Sequence, residues 1–156
     1  MQLRESINIR ARPEALWLFL EDPTLMREWN PKVIDVEPPV DPTRGLGATY
    51  RVCYRMVGQE RWFLQRIAEY RPHTRLAWEL VNDTPEVPVE GTRAIFDLAP
   101  ARRGIRLKQT VVLPDRLIPW YVRWLIRFLM LAGKPQGERA LVRLKRLVED
   151  LDGATP

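Results

Sequence analysis

The chain has 156 residues, 46% hydrophobic and 29% charged, with a formal net charge of +5. That length suits one domain with a real core, and we read 1–156 as a single domain; the composition is too apolar for a disordered chain and too charged for a membrane protein. One cysteine, Cys53, and one histidine, His73, leave no material for a Cys/His zinc site, and no phosphate-cradling glycine loop is present, so neither a metal nor a cofactor is expected.

Gln2 to Arg10 alternates Leu3, Ile7 and Ile9 with Arg4, Ser6 and Asn8 and predicts a strand. Pro13 then opens a short helix with Leu16, Trp17 and Leu20 on one side, and Asp22-Pro23 opens a second that ends near Trp29. Asn30-Pro31 stops it, because the residue before a proline is pushed out of helical geometry. Lys32–Glu37 reads as a short strand and Pro38–Gly47 as a loop rich in proline and glycine.

A ladder follows: Ala48–Val57, a turn at Gly58-Gln59, Glu60–Tyr70, a turn at Arg71-Pro72-His73, Arg75–Val81, a loop with Pro85 and Pro88, Gly91–Leu98, a turn around Ala101–Gly104, and Ile105–Leu113. Short, regular spacing of this kind predicts an antiparallel meander rather than parallel crossovers. Tyr50, Val52, Tyr54 and Met56 share one face against Thr49, Arg51, Cys53 and Arg55. Likewise Leu76, Trp78 and Leu80 oppose Ala77 and Glu79, and Ile105, Leu107, Gln109 and Val111 oppose Arg106, Lys108 and Thr110. One face is therefore covered and the other wet, with its acids and arginines paired across strands.

The cover must come from the C-terminal third. Arg139 to Leu151 places Leu141, Leu144, Leu147, Val148 and Leu151 on one helical stripe. Asp115 to Ala132 is also helical in period but far more apolar, and Gly133-Lys134-Pro135-Gln136-Gly137 breaks the two apart. Arg123 and Arg127 interrupt the apolar run too early for a membrane-spanning helix. Charge concentrates here: residues 101–146 carry twelve Lys/Arg against Asp115 and Glu138.

In its element order the sequence resembles the helix-grip fold of the START-like superfamily, with its polyketide cyclase/dehydrase-like bacterial proteins and birch-pollen allergen relatives. Ile9-Arg10-Ala11-Arg12-Pro13-Glu14-Ala15-Leu16-Trp17 is similar to that family's I-x-A-x-P-E-x-V-W start. Asp22 through Trp29-Asn30-Pro31, the Gly45-x-Gly47 loop, and Arg143-Leu144-Lys145-x-x-x-Glu149 match further family segments in order and spacing. The resemblance implies an α+β fold: a seven-stranded curved antiparallel sheet wrapped over a C-terminal helix, with two short helices after the first strand. It also implies a cavity between sheet and helix, used across the superfamily for lipids, sterols, polyketides, quinones and hormones. The break at Gly133–Gly137 departs from the single long helix of typical members.

Tyr50, Tyr54, Trp62, Trp78, Phe96, Trp120 and Trp124 are the large aromatics expected near that cavity, either lining it or filling it. Tyr50 and Tyr54 stand out because a buried hydroxyl needs a partner that a ligand could supply, and Gln109 raises the same question with its amide. No catalytic constellation is visible. Glu60, Arg66, Glu69, Glu79 and Asp97 read as solvated cross-strand charges, and His73 as a turn residue. The expected function is binding or transfer of a hydrophobic small molecule without catalysis. The alternatives are a metal-free cyclase/dehydratase-like enzyme working through Tyr54, Gln109 or an acid, and a protein-interaction module.

Arg116, Arg123, Arg127 and Lys134 fall within about 40° of one another around a helix, flanked by Trp120 and Trp124. This is either a solvated stripe or a contact for anionic membrane lipid. Nucleic acid is disfavoured as a partner, since no reading motif accompanies the basic charge. The single cysteine and the lack of a secretory pattern at residues 1–5 predict a cytoplasmic protein, membrane-peripheral if the basic line is used.

Overall fold

The computed structural model describes residues 1–39, 44–56, 58–81, 91–115, 120–121 and 139–153. Seven strands form one antiparallel sheet: β1 (Gln2–Ile9), β2 (Val33–Val36), β3 (Thr49–Met56), β4 (Gln59–Arg71), β5 (Arg75–Val81), β6 (Arg93–Ala101) and β7 (Gly104–Val112). Their spatial order is β1-β7-β6-β5-β4-β3-β2, so the chain's first strand closes against its last. Two helices follow β1, namely α1 (Pro13–Glu21) and α2 (Met26–Trp29), and α3 (Ala140–Gly153) ends the fold. This is the expected curled sheet and C-terminal helix of the helix-grip architecture.

The expected faces hold at most positions, but Cys53, Ala77 and Thr110, expected on the wet face, are buried. Along β1 the exposed residues are Gln2, Arg4, Ser6 and Asn8, while Ile9 is fully buried. Tyr50, Val52, Leu76, Trp78, Phe96, Leu98, Ile105 and Leu107 lie in one buried cluster with Leu16, Trp17, Leu20, Met26 and Trp29. The inner, concave face of the sheet therefore packs on α1 and α2. On the outer face Arg75 sits between Glu69 and Asp97, 2.7 Å from each, Arg55 meets Glu60 at 2.7 Å, and Arg66 pairs with Glu79. Glu60, Arg66, Glu69, Glu79 and Asp97 are all engaged there, as cross-strand ion pairs.

One irregularity decides which residues of β4 face inward. The β4–β5 register runs Gln65↔Leu80 and Ile67↔Trp78, then shifts so that Glu69 faces Ala77 and Tyr70 faces Leu76. The extra residue, Ala68, forms a bulge, and a bulge reverses side-chain phase beyond it. Tyr70 is thereby turned inward while Glu69 joins the outer ion pairs. Two short-range expectations change in detail. Asp22 accepts from Thr24 N at 3.0 Å and Thr24 Oγ1 at 2.7 Å, but it caps a single 3₁₀ turn, Pro23–Leu25, before α2 begins. The last turn of the sheet closes tightly at Ala101–Gly104, so β6 runs three residues further than the sequence predicts and β7 begins one residue earlier.

α3 packs against β1, α1 and α2 through Leu141, Leu144 and Val148, which are fully buried. Each such side chain contributes about 1.5–3 kcal/mol of burial. Leu151, expected on the same stripe, is exposed. A second stripe on α3 holds the connection between β1 and α1. Lys145 Nζ donates to the Asn8 carbonyl at 2.8 Å, Glu149 accepts from Arg10 N at 2.9 Å, and Asp152 accepts from Arg12 N at 3.1 Å and Arg12 Nε at 2.9 Å. Residues 145, 149 and 152 are spaced i, i+4, i+7, one face of a helix. The Lys145/Glu149 pair of the family-like segment thus supplies hydrogen bonds to backbone groups at the end of β1 and just beyond it.

Candidate functional site

The concave face divides into a filled part and an open part. In the filled part Tyr50 stacks edge-on to Trp78 with ring centroids 6.1 Å apart, and Trp29 meets Phe96 in the same way at 6.0 Å. Trp29 Nε1 donates to the Phe19 carbonyl at 3.3 Å. All four rings are buried. Tyr50, Trp78 and Phe96 therefore lie in one buried cluster as interior packing.

The described part of α3 packs on β1 and shares one buried cluster with Ile9, Ile105 and Leu98, at one end of the sheet. Toward the other end, Leu3, Leu80, Ala94, Tyr54, Gln109 and Val111 are only partly buried. Register joins them: Leu3 faces Val111, Val111 faces Ala94, and Gln109 lies between Glu5 and Phe96. This half-covered apolar surface is the candidate binding site. Glu5 marks its edge, with a carboxylate oxygen 3.8 Å from Arg139 at the start of α3.

Two polar side chains meet inside it. Tyr54 donates its hydroxyl to Gln65 Oε1 at 2.7 Å, and its oxygen is 3.6 Å from Met26 Sδ. Tyr54 also packs edge-on to Phe63, centroids 5.9 Å apart. Burial pushes the Tyr54 pKa well above the ordinary phenol value, so the group stays neutral. Gln65 is 2% exposed. The sequence reading overlooked it, although the phase Phe63, Gln65, Ile67 could have shown an amide among apolar residues.

Two expected members are elsewhere. Trp62 pairs with Cys53, so it lies on the outer face, opposite Tyr54, and is 39% exposed. Strand β4 carries large apolar residues on both phases, which is why alternation did not separate Trp62 from Phe63. Trp120 is 69% exposed and makes an edge-on contact with Tyr121, itself 61% exposed; it presents its ring to solvent and does not line the concave face. Trp124, Arg116, Arg123, Arg127 and the break at Gly133–Gly137 lie outside the described residues.

A second polar group sits near the glycine loop. Tyr70 donates to Glu21 Oε2 at 2.8 Å and packs edge-on to Trp17, which in turn meets the His73 ring. A groove of about 400 Å³ also opens on the outer side of β1, β7 and β6, lined by Arg4, Glu5, Ser6, Asp97, Ala99, Arg106 and Lys108. That charged lining does not suit an apolar ligand. Among the described residues no three His, Cys, Asp or Glu side chains are grouped to hold a metal, and no helix is long and apolar enough to cross a membrane.

Comparison with known proteins settles the family. The family model described as polyketide cyclase/dehydrase and lipid transport matches residues 1–149. The chain belongs to that family. No curated protein matches the sequence. Among solved structures, protein NE0264 from Nitrosomonas europaea superposes with a TM-score of 0.69 at 19% identity, over 98% of this chain and 97% of its own. TTHA0849 from Thermus thermophilus gives 0.69 at 19% identity, over 99% and 100%. Ara h 8.0201 gives 0.60 at 15% identity, over 99% of each chain. At these identities the structures establish the fold. The family description joins polyketide chemistry and lipid transport, and both involve hydrophobic ligands.

Proposed function

We propose that the chain, as one unit, binds a hydrophobic small molecule (a lipid, quinone or polyketide-like aromatic) on the concave face and carries it without altering it. The observation that supports this reading is the half-covered apolar surface of Leu3, Leu80, Ala94 and Val111, which borders the Tyr54–Gln65 pair. Such a surface would be filled by core side chains if its only task were folding, as happens around Trp29 and Phe96. Tyr54, Gln65 and Gln109 are the proposed polar contacts.

The chemistry of Tyr54 favours carriage over catalysis. A general acid or base works best with a pKa near the working pH. Burial moves Tyr54 the other way, and its proton is committed to Gln65. Glu60, Glu69, Glu79 and Asp97 are held on the outer face by Arg55, Arg66 and Arg75, and Glu5, at the edge of the site, lies 3.8 Å from Arg139. Native mass spectrometry of protein purified from its own host tests the reading. We expect an added mass that extracts into organic solvent; an empty protein, or turnover of a polyketide-like substrate lost in Tyr54→Phe, would overturn it.

A membrane encounter is a further part of this proposal, supported by the exposed Trp120–Tyr121 pair within a sequence that carries Arg116, Arg123 and Arg127. Amphipathic rings and basic groups together suit an anionic headgroup layer. The protein should sediment with vesicles containing phosphatidylserine at low salt and be released as salt rises. Changing the three arginines to Gln should weaken this by roughly two orders of magnitude, at about 1 kcal/mol per charge. Equal binding by that variant would remove the membrane from the proposal.

A further inference from the structure

We infer that Gln65 is the ligand-selecting residue of this site and that it selects an apolar molecule carrying a carbonyl oxygen, such as a quinone or ketone; the inference rests on the binding function proposed above. Gln65 lies on β4 between Phe63 and Ile67 on the inward phase, facing Tyr50 on β3 and Leu80 on β5. Among the described residues it is one of two polar residues in the buried set, the other being Thr110. Its Oε1 is occupied by the Tyr54 hydroxyl at 2.7 Å, and its Nε2 has no hydrogen-bond partner among the described residues.

A primary amide carries one acceptor oxygen and two N–H donors. Which end is left over depends on how Tyr54 uses its single proton. Two acceptors lie within reach, Gln65 Oε1 at 2.7 Å and Met26 Sδ at 3.6 Å. A thioether is a weak acceptor and an amide oxygen a strong one, so the proton goes to Gln65 and fixes the amide with its NH₂ group directed away from Tyr54. Arg93 Nε, and not Gln65 Nε2, is the buried side-chain atom left without a partner among the described residues, so Nε2 keeps some access to solvent; partly buried Tyr54 and Leu80 beside it give a ligand a line of approach. The two N–H bonds of the amide diverge, so a single ligand atom meets one of them, and with no acceptor left nearby its complement is an acceptor with no proton of its own. A carbonyl oxygen on an apolar frame has that form. A hydrocarbon shuts water away from the N–H without replacing its hydrogen bond, which is costly, so Gln65 discriminates against it. Tyr54 is a positioning residue in this arrangement, since it acts on the ligand through the amide.

The test uses two probes of one frame, 2-methyl-1,4-naphthoquinone and 2-methylnaphthalene, titrated into the full chain by calorimetry. The wild type should bind the quinone about tenfold or more tightly than the hydrocarbon, the range expected for one satisfied buried donor. The ¹H and ¹⁵N resonances of the Gln65 side-chain amide should shift with the quinone and not with the hydrocarbon. Gln65→Leu alone strands the Tyr54 hydroxyl and could unfold locally. The decisive variant is therefore Tyr54→Phe with Gln65→Leu, because replacing both partners by apolar groups of similar shape is close to neutral for folding. It should bind the hydrocarbon at least as well as wild type and lose the quinone preference. Preference retained in the double variant, or an amide resonance indifferent to the quinone, overturns the role of Gln65 and leaves the hydrophobic-ligand function standing. A wild type that binds neither probe overturns both.

Discussion

Gly104 offers the sharpest test of how the sheet closes. It opens β7 at φ +119°, and a Cβ placed on it would stand 2.1 Å from the Ile9 carbonyl oxygen and 2.9 Å from Arg10 Cα. Carbon–oxygen contacts between neighbouring strands come no closer than about 3.3 Å, so Gly104→Ala must push two backbones roughly 1 Å apart. Neither can yield easily. Ile9 and its partner Ile105 are buried, and the residues just beyond Ile9 are tied to α3 by Glu149 and Asp152. The backbone conformation alone costs a non-glycine residue about 1–2 kcal/mol, and losing the end of the β1–β7 pairing adds about as much again. We expect about 3 kcal/mol in total, a fall in Tm on the order of 10 °C for a domain of this size. Gly47→Ala is the control: φ is also positive, at +84°, but nothing lies within 4 Å of the added carbon, so only the conformational cost applies. Thermal unfolding followed by circular dichroism reads both. If Gly104→Ala melts within a degree or two of Gly47→Ala, the close approach of β1 and β7 is not as described and the argument fails.

The α3 interface gives a paired prediction: Leu144→Ala should cost about 2–5 kcal/mol because it leaves a cavity at a fully buried site, whereas Leu151→Ala, at an exposed position of the same helix, should stay within about 0.5 kcal/mol; equal losses in urea titrations would mean the helix is docked differently. Acid sensitivity should trace in part to Asp152 and Glu69. The hydrogen bond from Arg12 holds Asp152 below the ordinary carboxylate value, and the hydrogen bond from Arg75 does the same for Glu69. A carboxylate whose pKa is lowered on folding adds stability that is present above its unfolded pKa and lost as pH falls toward the folded one. Tm should therefore drop below about pH 4–5, and Asp152→Asn should flatten that drop while lowering Tm at neutral pH; a pH profile unchanged by the substitution would show that the Arg12–Asp152 pair contributes nothing. The effect is small, since the pair is exposed to solvent.

Alternation and helical period were enough to name the covered face of most strands and the buried stripe of α3. These patterns are local: period two or 3.6 shows which residues share a side, and a chain of this size has one core for that side to meet. The cross-strand charges were legible for the same reason, since Glu79, Asp97 and Arg75 sit on the polar phase of strands whose apolar phase is clean. The site was legible only in part. Tyr54 and Gln109 followed from phase, but Trp62 and Gln65 did not, because β4 carries apolar residues on both phases and its bulge at Ala68 shifts the register. Only pairing with β3 and β5 decides which phase faces inward, and that is a contact between residues distant in sequence. Whether an aromatic fills the core or borders a ligand likewise depends on what packs against it. Trp78 and Phe96 meet Tyr50 and Trp29 and are sealed, whereas Tyr54 finds a glutamine. Composition determines that such residues are buried somewhere; the tertiary structure alone determines their neighbours, and the neighbours decide whether a polar group is satisfied or left for a ligand.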